Sequence, residues 1–323
     1  MYYKQIFYLC SFFYLFFIPF LVHAEDSTEE KLAQERLALY KKTEALSLIP
    51  WYYIAAIDQY ERNIQTDIDP SSLISIHVPD EKWYGLSNIS KHSSANVISL
   101  FDGIGLDGNA DGLADSTNPE DILYSFSQYL ASYGTTKEDI KIALFDYYQR
   151  DLTVQAITQT AEVFKKFQDI ELTDRTFPLP TTHNYTYQST WGAGRGFGGV
   201  RIHEGTDIFA SYGTPVQSTT YGVIELKGWN LFGGWRLGIR DTHNIYHYYA
   251  HLNSYHEGIE VGSIVKPGDI LGSVGSSGYG PPGTAGKFPA HLHYGMYKDN
   301  GHSEWSFDPY PYLRKWESTG KSK

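Results

Sequence analysis

The pattern of apolar residues changes once along this chain, at LTDRTFPLPTTHN around Pro178 and Pro180, and that change constrains what each side can become. From Glu25 to about Asp169 apolar residues recur at helical spacing. Ile122, Leu123, Phe126, Tyr129 and Leu130 follow Asn118 and Pro119, and Val154, Ile157, Ala161, Phe164 and Phe167 follow Asp151. Residues three and four apart share a helix face, and Asn followed by Pro is a start signal, because Asn caps the first turn and Pro lacks only an N–H the turn leaves unused. After Asn184 the texture turns to short β-branched and aromatic runs punctuated by glycine, GVIELKGW, GWRLGIRD, NIYHYYAHL and DILGSVG. Such runs read as antiparallel strands. The expected fold is therefore two-domain: a mainly α N-terminal domain over 25–172, a linker over 173–183, and a mainly antiparallel β domain over 184–317.

Residues 1–24 carry one Lys, then an almost uninterrupted apolar stretch, then Val22 and Ala24 at the spacing of a signal-peptidase site. They read as a signal peptide cleaved after Ala24. The alternative is an uncleaved anchor, since the run from Ile6 to Val22 nearly reaches the roughly 20 residues that span a bilayer. Membrane attachment arises only in that second case, and in both the rest of the chain is exported. Cys10 is the one cysteine and lies in this segment, so the mature chain has neither thiol nor disulfide and must be held by core burial. A formal net charge of −11 supplies no cluster of Lys and Arg for phosphates, which excludes a nucleic-acid partner.

The β half contains RIHEGTDI, with His203 and Asp207, and later PAHLHYGMY, with His291 and His293. On a strand, residues two or four apart point to one face, so each pair can converge on a point. Two imidazoles and one carboxylate make a set of three zinc ligands with a fourth position left for water, whose ionisation zinc would bring near neutral pH. HEGTD is not the H-E-x-x-H zinc helix: its fifth place is Asp207, and Gly205 and Thr206 form helices poorly. His-x-His alone carries little weight among 12 histidines. Weight comes from the conjunction of both pairs with His251 in YYAHLNSY.

These residues resemble the lysostaphin-type zinc endopeptidases, whose signature is HxxxD, a later Y-x-HL segment and a closing HxH, here in that order within Asn184 to about Trp316. The resemblance implies a peptidoglycan endopeptidase binding one Zn2+ per chain through His203, Asp207 and His293, with His251 and His291 as acid and base groups. The arrangement as a whole, ending SEWSFDPYPYLRKWE, is similar to the sporulation-type L-Ala-D-Glu endopeptidases of spore-forming bacteria. That implies stem peptides as the substrate and the cell wall or spore cortex as the place of action. IPWYYIAAIDQYERNI and the run from DGNADG to SQYLASYG resemble pieces of lytic-transglycosylase domains, with Glu61 at the position of the helix-borne acid. The sequence that usually follows that acid is not recognisable, so the α domain reads as a degenerate, lytic-transglycosylase-like unit that contacts glycan. For Glu61 by itself a solvated helix face is the plainer expectation. The rival to an active enzyme is a catalytically inactive peptidase-fold scaffold of the sporulation or division envelope machinery. A scaffold has usually lost a ligand, whereas all five residues are present here.

DGNADGLAD sets Asp107, Asn109 and Asp111 at alternate positions before Gly112, the front of an EF-hand-like loop, though Asn118 stands where a bidentate Glu would close it. Weak Ca2+ binding there and a plain acidic turn are both open. His243, His247 and His251 lie four apart, as on one helix face, but the Tyr-rich composition favours strand. His243 and His247 are expected at exposed loop or strand positions, and His183, His256 and His302 on the surface. The GxGxxG matches at Gly194, Gly196, Gly199 and at Gly278, Gly280, Gly283 open no helix; they are expected to wall a groove for an extended peptide rather than bind a nucleotide.

Overall fold

The structure is a computed structural model that describes residues 28–66, 69, 71–196 and 200–321; the signal reading over 1–24, Cys10 and Gly199 lie outside the described residues. The first half holds helices α1 (Thr28–Ser47), α2 (Trp51–Ile64), α3 (Asp80–Trp83), α4 (Ala95–Leu100), α5 (Pro119–Tyr133), α6 (Lys137–Tyr148) and α7 (Asp151–Phe167). The Asn118 side chain accepts from the N–H groups of Glu120 and Asp121 at 2.9 and 3.4 Å, so α5 starts where the sequence places it. Thr136 and Asp139 close a reciprocal capping box at the start of α6. The apolar stripes of these helices meet in one core, where Ile57, Phe126, Leu144, Ile157 and Phe164 are all buried.

The second half holds β1 (Tyr185–Tyr187), β2 (Gly194–Arg195), β3 (Arg201–Ile202), β4 (Thr206–Ala210), β5 (Pro215–Gln217), β6 (Gly222–Asn230), β7 (Gly234–Asp241), β8 (Ile245–Tyr255), β9 (Ile264–Val265), β10 (Ile270–Val274), β11 (His291–Asp299) and β12 (Glu304–Phe307). The main sheet runs β1-β4-β11-β8-β7-β6-β9, with β12 beside β11 and β10 joining β8 to β5. Alternation along β11 sends Leu292, Tyr294 and Met296 to the core and leaves His291, His293 and Tyr297 on the other face. A C-terminal helix the sequence reading did not foresee, α8 (Tyr310–Lys321), closes the core with Leu313 and Trp316.

The segment between the halves is anchored at three points. Phe177 and Leu179 are fully buried in the β core, and Arg175 reaches Asp241 at 3.0 Å. The halves also meet directly. Arg150, just before α7, holds the buried Asp299 in two bonds of 2.8 and 2.7 Å, and Val223 of β6 packs into the helical core.

Two expectations for the helical half need revision. Glu61 is buried, not solvated, because α2 packs between α1 and α7 and this turn faces inward. Its carboxylate accepts from the Tyr148 hydroxyl at 2.6 Å and the Gln65 amide at 3.2 Å; burial pushes its pKa up, against those two bonds. Calcium at Asp107, Asn109 and Asp111 finds no support. Asp107 accepts from the N–H groups of Ala110, Asp111 and Gly112, and Asn109 from that of Asp111, so the loop's own backbone accounts for the spacing.

Candidate metal centre

β4 and β11 are antiparallel neighbours in a register that sets Asp207 opposite His293, while β8, on the other side of β11, sets Ala250 opposite His293. The turn from β3 into β4 carries His203. Gly205 lets that turn close: a Cβ there would stand 2.6 Å from His293 Cε1. Three donor atoms converge as a result. His203 Nε2 is 2.8 Å from His293 Nδ1, and each lies 3.1 Å from Asp207 Oδ1.

The donor chemistry calls for a cation. His203 Nδ1 faces the Thr190 carbonyl at 2.9 Å, and a carbonyl only accepts, so this nitrogen carries the proton and Nε2 turns a lone pair inward. That lone pair meets His293 Nδ1 and a carboxylate oxygen with no other group between. Donors held about 2.0–2.2 Å from a tetrahedral metal lie about 3.3–3.6 Å apart, somewhat wider than the 2.8, 3.1 and 3.1 Å edges of this triangle, and two imidazoles with one carboxylate suit zinc. Among the described residues, His203, Asp207 and His293 form the cluster able to hold a metal. Burial raises the Asp207 pKa, but the bonds with His203 and His293 outweigh it and hold the carboxyl far below its usual range. Burial lowers that of His293.

His251 and His291 stand beside this cluster, their rings 4.8 Å apart. His251 Nδ1 faces the Ser277 carbonyl and His291 Nδ1 that of Pro289, both at 2.8 Å, which leaves each Nε2 free. His291 Nε2 lies 3.7 Å from Asp207 Oδ1, further off than either member of the cluster. Strict alternation along β8 would send His251 to the core with His247 and Tyr249. A register shift between β7 and β8, with His251 at φ +63° and its N–H bonded to the Gly233 carbonyl at 2.8 Å, turns it to the groove instead. Burial, with His291 and His293 alongside, pushes the His251 pKa down to about 3; burial also lowers that of His291.

The five sequence-marked residues thus share one groove of about 980 Å³. Tyr279 and Lys287 bring the loop around Gly278 and Gly283 to its wall, and Arg195, beside Gly194 and Gly196, brings the other glycine loop. Arg195 was not foreseen; its guanidinium lies 2.6 Å from Asp207 Oδ2, and nothing local in the sequence marks it. His247 and His243 are not exposed. His247 is fully buried, with Nε2 3.1 Å from Asp241 and Nδ1 2.7 Å from the Tyr294 hydroxyl, and His243 packs against Arg175 at 2.9 Å. His183, His256 and His302 are exposed as expected.

Residues 201–305, which span all five, match the model of peptidase family M23. The chain is also 58% identical over 293 residues to the L-Ala-D-Glu endopeptidase of Bacillus subtilis (strain 168), covering 89% of this chain and 90% of the relative. The chain belongs to peptidase family M23. Two further M23-type relatives match a shorter stretch. Lysostaphin of Staphylococcus simulans is 32% identical over 43% of this chain and 29% of its own length, and glycyl-glycine endopeptidase ALE-1 of Staphylococcus capitis is 30% identical over 42% and 37%. Only the first of these matches is long enough to take in most of the helical half. No helix among the described residues is long and apolar enough to cross a membrane.

Proposed function

We propose that this M23 peptidase is a zinc-dependent endopeptidase that hydrolyses the L-Ala-D-Glu bond of peptidoglycan stem peptides, exported to act on the cell wall or spore cortex. The observation that carries the reading is the 58% identity to an L-Ala-D-Glu endopeptidase across both halves of the chain. His203 through Nε2, Asp207 through Oδ1 and His293 through Nδ1 would hold one zinc ion. When bound, zinc supplies Lewis-acid polarisation of a peptide carbonyl and a water that ionises near neutral pH.

The remaining chemistry belongs to the protein's own side chains. His251 and His291 present neutral Nε2 atoms to the groove. One accepts the proton of the attacking water and the other, once protonated, donates to the leaving amine. The water oxygen bonds to the L-Ala carbonyl carbon, the C–N bond breaks, and the D-Glu nitrogen leaves as an amine. Arg195 holds the second Asp207 oxygen, so the carboxylate cannot rotate out of the cluster. The helical half serves as a glycan-contacting or targeting unit without glycosidase activity, a reading supported by Glu61 being enclosed by Tyr148 and Gln65.

Mass spectrometry of purified muropeptides treated with the mature protein tests the reading. New N-terminal D-Glu peptides should form, disappear on chelation and return with added zinc. Full activity from demonstrably metal-free protein, or cleavage confined to another bond, would overturn it.

A further inference from the structure

The groove carries more positive charge than the metal centre uses. The chain has 26 Lys and Arg against 37 Asp and Glu, yet the groove is lined by Arg195, Arg201, Arg236 and Lys287 with only Glu204 and Asp207 opposing them. Arg195 is committed to Asp207, Glu204 accepts from the Tyr297 hydroxyl at 3.2 Å, and Lys287 donates to the Tyr279 carbonyl at 2.7 Å. Arg201 and Arg236 remain.

These two differ from the arginines elsewhere in the fold. Arg150, Arg175 and Arg240 each pair with a buried carboxylate. Arg201 and Arg236 are instead held over aromatic rings, the first 5.2 Å from Phe232 and the second 6.0 Å from Tyr248. Arg201 also donates to the Tyr279 hydroxyl at 3.4 Å and Arg236 bonds the Tyr248 hydroxyl, but neither meets a carboxylate and the buried Nε of each has no hydrogen-bond partner. Ring stacking orients a guanidinium without neutralising it. Both cations lie close enough to Tyr248 to act on its hydroxyl, and the Tyr248 ring is 5.8 Å from that of His293. Half-buried charge without a carboxylate, beside the metal cluster, is the arrangement a substrate carboxylate completes.

The proposed substrate has that carboxylate in the right place. In peptidoglycan stems the D-glutamyl residue continues through its side-chain carboxyl, so its α-carboxyl stays free, attached to the same carbon as the scissile nitrogen. We infer that Arg201 and Arg236 form a subsite for the α-carboxylate of the D-glutamyl residue on the leaving side of the bond. This subsite selects the L-Ala-D-Glu bond, while the metal cluster and its histidines supply chemistry indifferent to the sequence cut. The inference rests on the function proposed above.

The test compares disaccharide-tetrapeptide muropeptides carrying D-Glu with the same compounds carrying D-isoglutamine, whose α-carboxamide keeps the shape and loses the charge. The wild-type chain should favour the D-Glu form by about 10- to 100-fold in kcat/KM, the scale of a charge-assisted hydrogen bond. R201Q and R236Q should lose about as much on the D-Glu substrate and change less than about 3-fold on the amidated one, with R201K and R236K partly restoring the preference. Equal wild-type rates on the two substrates would overturn the subsite and leave the endopeptidase reading standing. Equal losses by the Gln variants on both substrates would also overturn it, as a general structural effect. Cleavage of neither substrate by wild type would remove both readings.

Discussion

Replacing the histidines of the groove one at a time separates metal holding from proton transfer. His293 Nδ1 sits 2.8 Å from His203 Nε2 and 3.1 Å from Asp207 Oδ1, so His293→Ala leaves two donors where three converged. Changes to groups that merely orient ligands already cost about 10- to 100-fold in metal affinity, so loss of a ligand should exceed that, and H293A should purify with little zinc and no activity. His291 Nε2 is 3.7 Å from the same carboxylate oxygen, and His251 is held by the Ser277 carbonyl. H291A and H251A should each keep about one zinc per chain, because the three donors remain. Their turnover should still fall about 10²- to 10⁴-fold, the range for losing an acid or base group, which is about 2.7–5.4 kcal/mol of barrier. Inductively coupled plasma mass spectrometry gives the metal content, and chromatography of digested muropeptides gives the rates. H291A arriving zinc-free while H293A keeps its metal would reverse the two assignments.

Arg150→Ala leaves Asp299 without its bidentate partner at the contact between the halves, and should destabilise the chain by about 3–5 kcal/mol in chemical denaturation; a change under about 1 kcal/mol would mean the contact opens freely. A fragment beginning at residue 173 should fold and cut small soluble muropeptides. One beginning at residue 182 loses the buried Phe177 and Leu179, a deficit of about 3–6 kcal/mol, and equal melting temperatures for the two would refute that packing role. Burial lowers the pKa of His243 and His247 from 6.5, so the folded chain keeps both neutral while the unfolded chain protonates them below that pH. Their contribution is complete above about pH 6.5 and declines as pH falls, by up to about 1.4 kcal/mol per pH unit for each. H247Q should therefore show a shallower loss of stability between pH 6.5 and 5.5 than wild type, and an unchanged slope would count against a buried neutral His247.

What could be read from the chain before folding was what depends on neighbours in sequence. Asn118 and Pro119 mark the start of α5 because capping acts over three residues, and HLH puts His291 and His293 on one face because strand alternation is a property of the backbone. The donors themselves were legible in HxxxD and HxH, but only the second pair is oriented by alternation; His203 is carried to Asp207 by the turn between β3 and β4. Pairing across the sheet was not. His251 faces the groove only because a bulge against β7 reverses the alternation that would have buried it beside His247. Phe177 and Leu179 look like spacer residues between prolines, and Glu61 like an exposed turn, until the surfaces that cover them are in place. The cations show the limit most sharply. Arg150, Arg195, Arg201 and Arg236 are equivalent letters in the sequence, and what distinguishes them is whether the fold brings each one a carboxylate or leaves it among tyrosine and phenylalanine side chains. Catalytic class was therefore readable from motifs, while the proposed carboxylate subsite had to await the tertiary arrangement that leaves two guanidinium groups beside the metal cluster without a partner carboxylate.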